Sequence, residues 1–168
     1  MLAVGVLTIS DKGARGERHD ESGQAIVEAL SVVDGYVVKH EIVPDEKDVI
    51  AEKLASWADE GEVNVILTTG GTGLSPRDVT PEATMSILDK YAPGFGEAMR
   101  AKTYPLTPMA MLSRAVAGVR GRCLIINLPG SPQGAVECLR VVLPLVPHAV
   151  AIIQGEITEH PAPDNGRG

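Results

Sequence analysis

Short apolar runs alternate along this chain with stretches in which apolar residues recur at helical spacing, a pattern that predicts an α/β fold with a parallel sheet. Residues 3–9 form the first strand. A polar loop over 10–20 follows, holding Lys12, Arg15 and Arg18, and then a helix over about 22–31 with Ile26, Val27 and Leu30 on one face. The second strand spans 36–43 and stops at Pro44. The strongest helical stripe lies in 46–60, where Ile50, Leu54, Trp57 and Ala58 stand at i, i+4, i+7 and i+8. Residues 63–69 make the third strand. A glycine-rich loop then leads to a helix with Thr80 as its N-cap and Pro81 at the first helical position.

The stretch 93–117, with Pro93, Pro105 and Pro108, is less regular and reads as short helices joined by loops. Residues 123–128 are a buried strand that ends at Pro129-Gly130-Ser131-Pro132. Val136, Leu139, Val142 and Leu143 then restart a helical stripe, and 146–154 is a closing helix. The tail from His160 is expected to fray. With no repeat or linker, the chain reads as one domain over 1–155 and a flexible tail over 156–168.

In open parallel sheets, ligands sit beyond the carboxyl ends of the strands. Four strand-end segments therefore converge on one crevice: Ser10-Asp11, Pro44-Asp45, residues 69–78 and residues 127–132. Within the third, three glycines in four residues (Gly70, Gly71, Gly73) remove the Cβ barrier, so several N–H groups can turn toward one anion. Asp78 stands five residues past Gly73. An acid beside an anion site needs a bridging cation, which points to a metal-bound phosphate.

The loop is neither a Walker A sequence nor the spaced glycine fingerprint of dinucleotide folds, and a purely structural turn is the alternative. Asp78 could equally cap that turn. Asp45 sits where an N-cap for the following helix would be, and Glu97 follows two glycines where carboxylates suit a helix dipole. Ser113-Arg114 reads locally as a solvated helix end.

Composition narrows the partners. At 168 residues, 44% hydrophobic and 22% charged, the balance is that of an ordinary soluble domain. A net charge of −7, with one Trp, one Phe and three Tyr, argues against binding nucleic acid by backbone attraction or base stacking. Cys123 and Cys138 carry no motif and read as core thiols. His19, His40, His148 and His160 lack ligand spacing, so no zinc site is expected. No Ser, Cys and His cluster falls at the strand ends to support a nucleophilic mechanism. The N-terminus reads as a strand and not a leader, and no run is long enough to span a membrane, so the expected location is the cytoplasm.

Six segments in this order resemble the molybdopterin adenylyltransferase family, the Mog/MoaB-like domain of molybdenum-cofactor synthesis. They are Ile9-Ser10-Asp11; Val43-Pro44-Asp45-Glu46; Thr69-Gly70-Gly71-Thr72-Gly73 with Arg77-Asp78-Val79-Thr80-Pro81; Pro93-Gly94-Phe95-Gly96-Glu97; Leu112-Ser113-Arg114-Ala115; and Asn127-Leu128-Pro129-Gly130-Ser131-Pro132. Lys12 stands where the family often has arginine. The resemblance implies a three-layer α/β/α domain with a mostly parallel sheet, commonly trimeric and hexameric in one branch. It implies Mg²⁺-dependent transfer of AMP from ATP to molybdopterin, with Asp45 and Asp78 as the functional, metal-holding aspartates. By the same resemblance, Ser10, Asp11 and the loop Gly70-Gly71-Thr72-Gly73 lie near the nucleotide. Ser113, Arg114, Pro129, Gly130 and Ser131 contact the pterin or its phosphate, and Glu97 belongs to the substrate-binding set. Two rival readings are a non-catalytic pterin-binding scaffold and a nucleotide pyrophosphatase of the competence-damage type.

Overall fold

The computed structural model describes residues 1–157. The expected frayed tail from His160 lies outside the described residues. Strand β1 (Leu2–Ile9) is buried at every position. Only a strand covered on both faces can be so, which explains why its sequence is continuously apolar. The same holds for β3 (Val65–Thr69) and β6 (Cys123–Leu128), both buried throughout. β2 (Gly35–Val43) exposes alternate residues and stands at one edge.

The sheet has six strands in the order β2-β1-β3-β6-β5-β4, with β4 (Lys90–Tyr91) and β5 (Ala117–Arg120) completing it. β2, β1, β3 and β6 are mutually parallel, whereas β5 pairs antiparallel with both β6 and β4.

Two apolar layers flank the sheet. One gathers Val4, Val6, Leu67, Ile126, Ile26, Leu139 and Val146 beneath helices α2 (Glu21–Ala29), α5 (Pro93–Thr103), α6 (Pro132–Val142) and α7 (Val146–Gln154). The other gathers Leu7, Ile66, Ile125 and the predicted stripe Ile50, Leu54, Trp57 and Ala58 under α3 (Lys47–Glu60), with Ala83 of α4 (Thr80–Ile87). The domain is therefore a three-layer α/β/α sandwich around a mostly parallel sheet. Cys123 and Cys138 are free and buried, as their surroundings in the sequence imply.

Three local expectations are revised. The loop over 10–20 contains one helical turn, α1 (Asp11–Ala14), capped by Ser10, whose hydroxyl accepts from the N–H of Gly13. Residues 93–103 are one continuous helix, and the two short strands β4 and β5 were not anticipated. Val79, not Thr80, occupies the N-cap of α4, and Thr80 is its first residue. The Thr80 hydroxyl instead donates backward to the Gly70 carbonyl at 2.9 Å. Among the described residues, no single helix is long and apolar enough to cross a membrane.

Candidate functional site

Register brings the strand ends together. Ile9 pairs with Val43, Thr8 with Thr69, and Thr69 with Leu128, so the chain leaves four adjacent strands at one level. The residues that follow are Ser10-Asp11, Pro44-Asp45, Gly70-Gly71 and Pro129-Gly130. The strand order also reverses here: β1 leads through α2 to β2 on one side, and the chain returns through α3 on the opposite face to β3. A sheet splits open at such a switch point. The crevice is a cavity of about 520 Å³ lined by Ser10, Asp45, Gly70, Gly71, Asp78, Gly130 and Ser131, among others. All four predicted strand-end segments contribute to it.

The glycine loop has the backbone that its composition permits. Gly70 and Gly71 have φ of 103° and 69°, in the left-handed region. A Cβ on Gly70 would lie 2.3 Å from the Ile9 carbonyl oxygen, and one on Gly71 would lie 2.2 Å from the Thr80 hydroxyl. The Gly70 N–H is taken by the Leu128 carbonyl at 3.2 Å, whereas the N–H groups of Gly71, Thr72 and Gly73 meet no protein acceptor among the described residues. Those three remain available to an anion.

Buried hydrogen bonds hold this loop in place. Thr80 binds Gly70, Thr84 donates to the Thr80 carbonyl at 2.8 Å, and Asn127 donates to both Thr84 and Thr68 at 3.0 Å. Thr69 donates to the Pro129 carbonyl at 2.7 Å, joining the third and fourth strand ends. Asn127, inside one of the predicted segments, is fully buried and braces the loop from behind.

Two carboxylates flank the loop. The Asp45 Oδ1 would be 3.3 Å from a Cβ on Gly71, and the Asp78 Oδ2 would be 2.9 Å from one on Gly73. Burial, together with the charges of Asp11 and Asp78, pushes the Asp45 carboxyl above its ordinary range, against an opposing hydrogen bond from Asp11. Such a group is short of positive charge. Asp78 also caps its own turn, accepting from the Ser75 N–H at 3.1 Å, while Asp45 does not cap α3, whose N-cap is Glu46.

Asp11 and Arg114 have structural tasks. Arg77 grips Asp11 with Nε to Oδ2 at 3.1 Å and Nη2 to Oδ1 at 2.9 Å, and also reaches Glu46 at 2.9 Å. Its guanidinium and the Asp45 N–H hold the Asp11 carboxyl below the usual range. Arg114 donates to the carbonyls of Gly73 (2.8 Å) and Asp78 (2.9 Å) and pairs with Glu82, so it clasps the loop from outside.

A second cavity of about 210 Å³ is lined by Gly73, Ser113, Pro129 and Ser131 with the apolar Met99, Met109 and Ala115. Ser131, which caps α6 by accepting from the Gly134 N–H at 3.1 Å, lines both cavities and marks their junction. Asp11, Thr72, Arg114 and Glu97 line neither cavity, and Glu97 stands exposed on α5.

The structure adds wall residues that local pattern did not single out. Asp20 caps α2 and accepts from the Thr8 hydroxyl (2.8 Å), the Gly23 N–H (2.9 Å) and the His40 ring nitrogen (2.7 Å). Arg18, His19 and Glu21 stand beside it in the wall. The one available signal was Asp20 directly before a helical stripe, an N-cap position. Among the described residues, no group of three or more His, Cys, Asp or Glu could hold a metal unaided.

The family described as "probable molybdopterin binding domain" matches residues 5–148. A protein of Helicobacter pylori (strain J99) named molybdopterin adenylyltransferase is 46% identical over 156 residues, which span 92% of this chain and 89% of the relative. The protein of that name from Escherichia coli (strain K12) is 35% identical over 172 residues, spanning 94% and 88%. The crystal structure of the molybdopterin biosynthesis enzyme MoaB from Thermus thermophilus superposes with a TM-score of 0.88 at 55% identity, covering 92% of this chain and 98% of that one.

Proposed function

This chain belongs to the probable molybdopterin binding domain family, and from that premise we propose that it transfers AMP from ATP to molybdopterin in molybdenum-cofactor synthesis. One observation carries the reading: Asp45 and Asp78 line a single cavity on either side of a glycine loop that still has N–H groups to offer.

The terminal phosphate of molybdopterin attacks the α-phosphorus of ATP, the bond from that phosphorus to the β-phosphate oxygen breaks, and pyrophosphate leaves with the electron pair. Both reactants are polyanions, so the work of the protein is to align them and offset their repulsion. The N–H groups of Gly71, in the wall of the larger cavity, and of Gly73, in the wall of the smaller one, hold phosphate oxygens. Neither aspartate need act as a base, because a phosphate monoester with a second pKa of about 6 is already ionised at pH 7.

Asp45 and Asp78 would hold Mg²⁺, which supplies charge neutralisation between the two sets of phosphate oxygens. The donor set suits that ion. Two carboxylates without a third ligand make a poor cage on their own, but Mg²⁺ is ordinarily held by one or two carboxylates together with phosphates and water. The elevated Asp45 carboxyl is the protein's side of the same relation.

The larger, acid-lined cavity takes the nucleotide. The smaller, mostly apolar one takes the pterin, with Ser113 and Ser131 among its polar residues beside Arg100 and Glu137. The reacting phosphates then meet at the Ser131 junction, near the N-terminus of α6.

The reading includes a cytoplasmic homotrimer, or a hexamer built from it, with no nucleic-acid or membrane partner. The exposed apolar side chains of Tyr104, Leu106, Met109, Met111 and Leu112 support a contact between subunits. Incubation with ATP, Mg²⁺ and molybdopterin, with ADP-ribose as a parallel substrate, tests the function. Adenylylated pterin and pyrophosphate are expected. Pterin binding without turnover would make the chain a scaffold, and hydrolysis of ADP-ribose would make it a pyrophosphatase.

A further inference from the structure

The wall of the larger cavity is unbalanced in charge. Asp20, Glu21, Asp45 and Asp78 are among its lining residues, and among the described residues Arg18 is the one arginine there. Among the described residues, the other arginines of the loops around this cavity are engaged. Arg15 forms a two-bond fork with Glu17 (both 3.0 Å), Arg77 holds Asp11 and Glu46, and Arg114 holds Glu82 and two loop carbonyls. The Arg18 side chain has no hydrogen bond or ion pair among the described residues, although four acids share its cavity. Even Asp20, two residues on, satisfies its oxygens with Thr8, His40 and Gly23 instead.

The arm that carries Arg18 is short and tied at both ends. On one side α1 is capped by Ser10, and on the other α2 is capped by Asp20, which is fastened to β1 through Thr8 and to β2 through His40. An exposed arginine usually has its head spread into solvent. This one stands on a fixed root beside a cavity that must admit a polyanion.

We propose that Arg18 binds the β- and γ-phosphates of ATP, the part that departs as pyrophosphate, and so determines preference for the triphosphate over the monophosphate. The proposal rests on the adenylylation reading of the same cavity. A guanidinium presents paired N–H donors that match two phosphate oxygens at once. When the bond between the α-phosphorus and the bridging oxygen breaks, its electron pair stays on the pyrophosphate. The added charge falls on the group that Arg18 holds, so its contact strengthens as the reaction proceeds.

Equilibrium binding of ATP, AMP and inorganic pyrophosphate to the full chain, at one fixed Mg²⁺ concentration, tests this with Arg18→Gln and Arg18→Lys. The expected result is about a tenfold loss of affinity for ATP and pyrophosphate in Arg18→Gln, equivalent to about 1.4 kcal/mol, with AMP unchanged. Arg18→Lys should recover part of that loss. Equal weakening of ATP and AMP, or no weakening at all, would overturn the assignment. A native chain that binds no ATP would instead overturn the adenylylation reading, and the two failures are told apart by the native control.

Discussion

Asp11 and Asp45 exchange hydrogen bonds: the Asp11 N–H donates to the Asp45 Oδ2 at 2.9 Å, and the Asp45 N–H donates to the Asp11 Oδ1 at 3.0 Å. The loops after β1 and β2 are thereby stapled by each other's side chains. Arg77, from the loop after β3, closes its fork on the same Asp11. One carboxylate thus fastens three strand ends and leaves Asp45 with an oxygen facing Gly71. Asp11→Asn and Arg77→Gln should each lower ATP affinity and reduce the melting temperature by a few degrees. Because they break one contact, the double variant should fall little below the worse single variant. A double-mutant cycle measures this, and additive losses would separate the two residues.

Asp45 and Asp78 should differ in what they do to the fold. Asp78→Asn and Asp45→Asn are each expected to lower turnover at least about a hundredfold, roughly 2.7 kcal/mol of barrier. The raised carboxyl of Asp45 means that ionising it costs the ligand-free fold stability. That cost is absent below the ordinary aspartate range and enters as pH rises through the elevated value. Asp45→Asn should therefore melt at the same temperature as the native chain or higher at neutral pH. The difference should close as the pH falls through the carboxylate range. Thermal melts of both chains across that range check the sign.

Thr80 shows how a substitution away from the ligands can act on them. Its hydroxyl is buried and bound to the Gly70 carbonyl, on the side where Gly71 leaves no room for a Cβ. Thr80→Val keeps the shape and removes the donor, so a buried carbonyl loses its partner at a cost of about 1–3 kcal/mol. KM for ATP should rise more than kcat falls, because the loop drifts while Asp45 and Asp78 remain. A chain with lowered stability and native KM would limit Thr80 to a structural role.

What the sequence disclosed follows from physical range. Cys123 to Leu128 and the stripe Ile50, Leu54, Trp57 and Ala58 were legible because burial on both faces, or on one helical face, writes itself into neighbouring positions. β4 and β5 were not, being two and four residues long and partly exposed, with Gly118 inside β5. The convergence of Ser10, Asp45, Gly70 and Ser131 was legible from the rule of strand ends. The work of Asp11 was hidden, because its partners lie 34 and 66 residues away. Thr80 was misplaced by one position for a related reason: its hydroxyl answers to Gly70, ten residues back, and not to its own helix.

The two thiols offer a check on the core. Burial pushes the Cys123 thiol up to about 12 and raises Cys138 as well, so almost no thiolate is present at neutral pH. Labelling by a thiol reagent should be negligible in the native chain. It should proceed only as fast as the molecule opens, with Cys138, which borders the smaller cavity, protected further by bound pterin. Rapid modification of Cys123 in folded protein would contradict the packing of β6.

The apolar segment 104–112 supplies the last expectation. Leu106, Met109 and Met111 are each about two-thirds exposed, at 65%, 64% and 65%, on the turn that borders the smaller cavity. Apolar side chains this concentrated and this open are costly in water unless a partner covers them. Light scattering should give three times, or six times, the 17.7 kDa chain mass. Leu106→Asp with Met111→Asp, neither of which lines the smaller cavity, would bury charge in such a contact, so this variant should dissociate while keeping its fold by circular dichroism. Since the same turn walls the smaller cavity, pterin affinity should fall with dissociation and return at high protein concentration. A variant that stays assembled would move the subunit contact to another face.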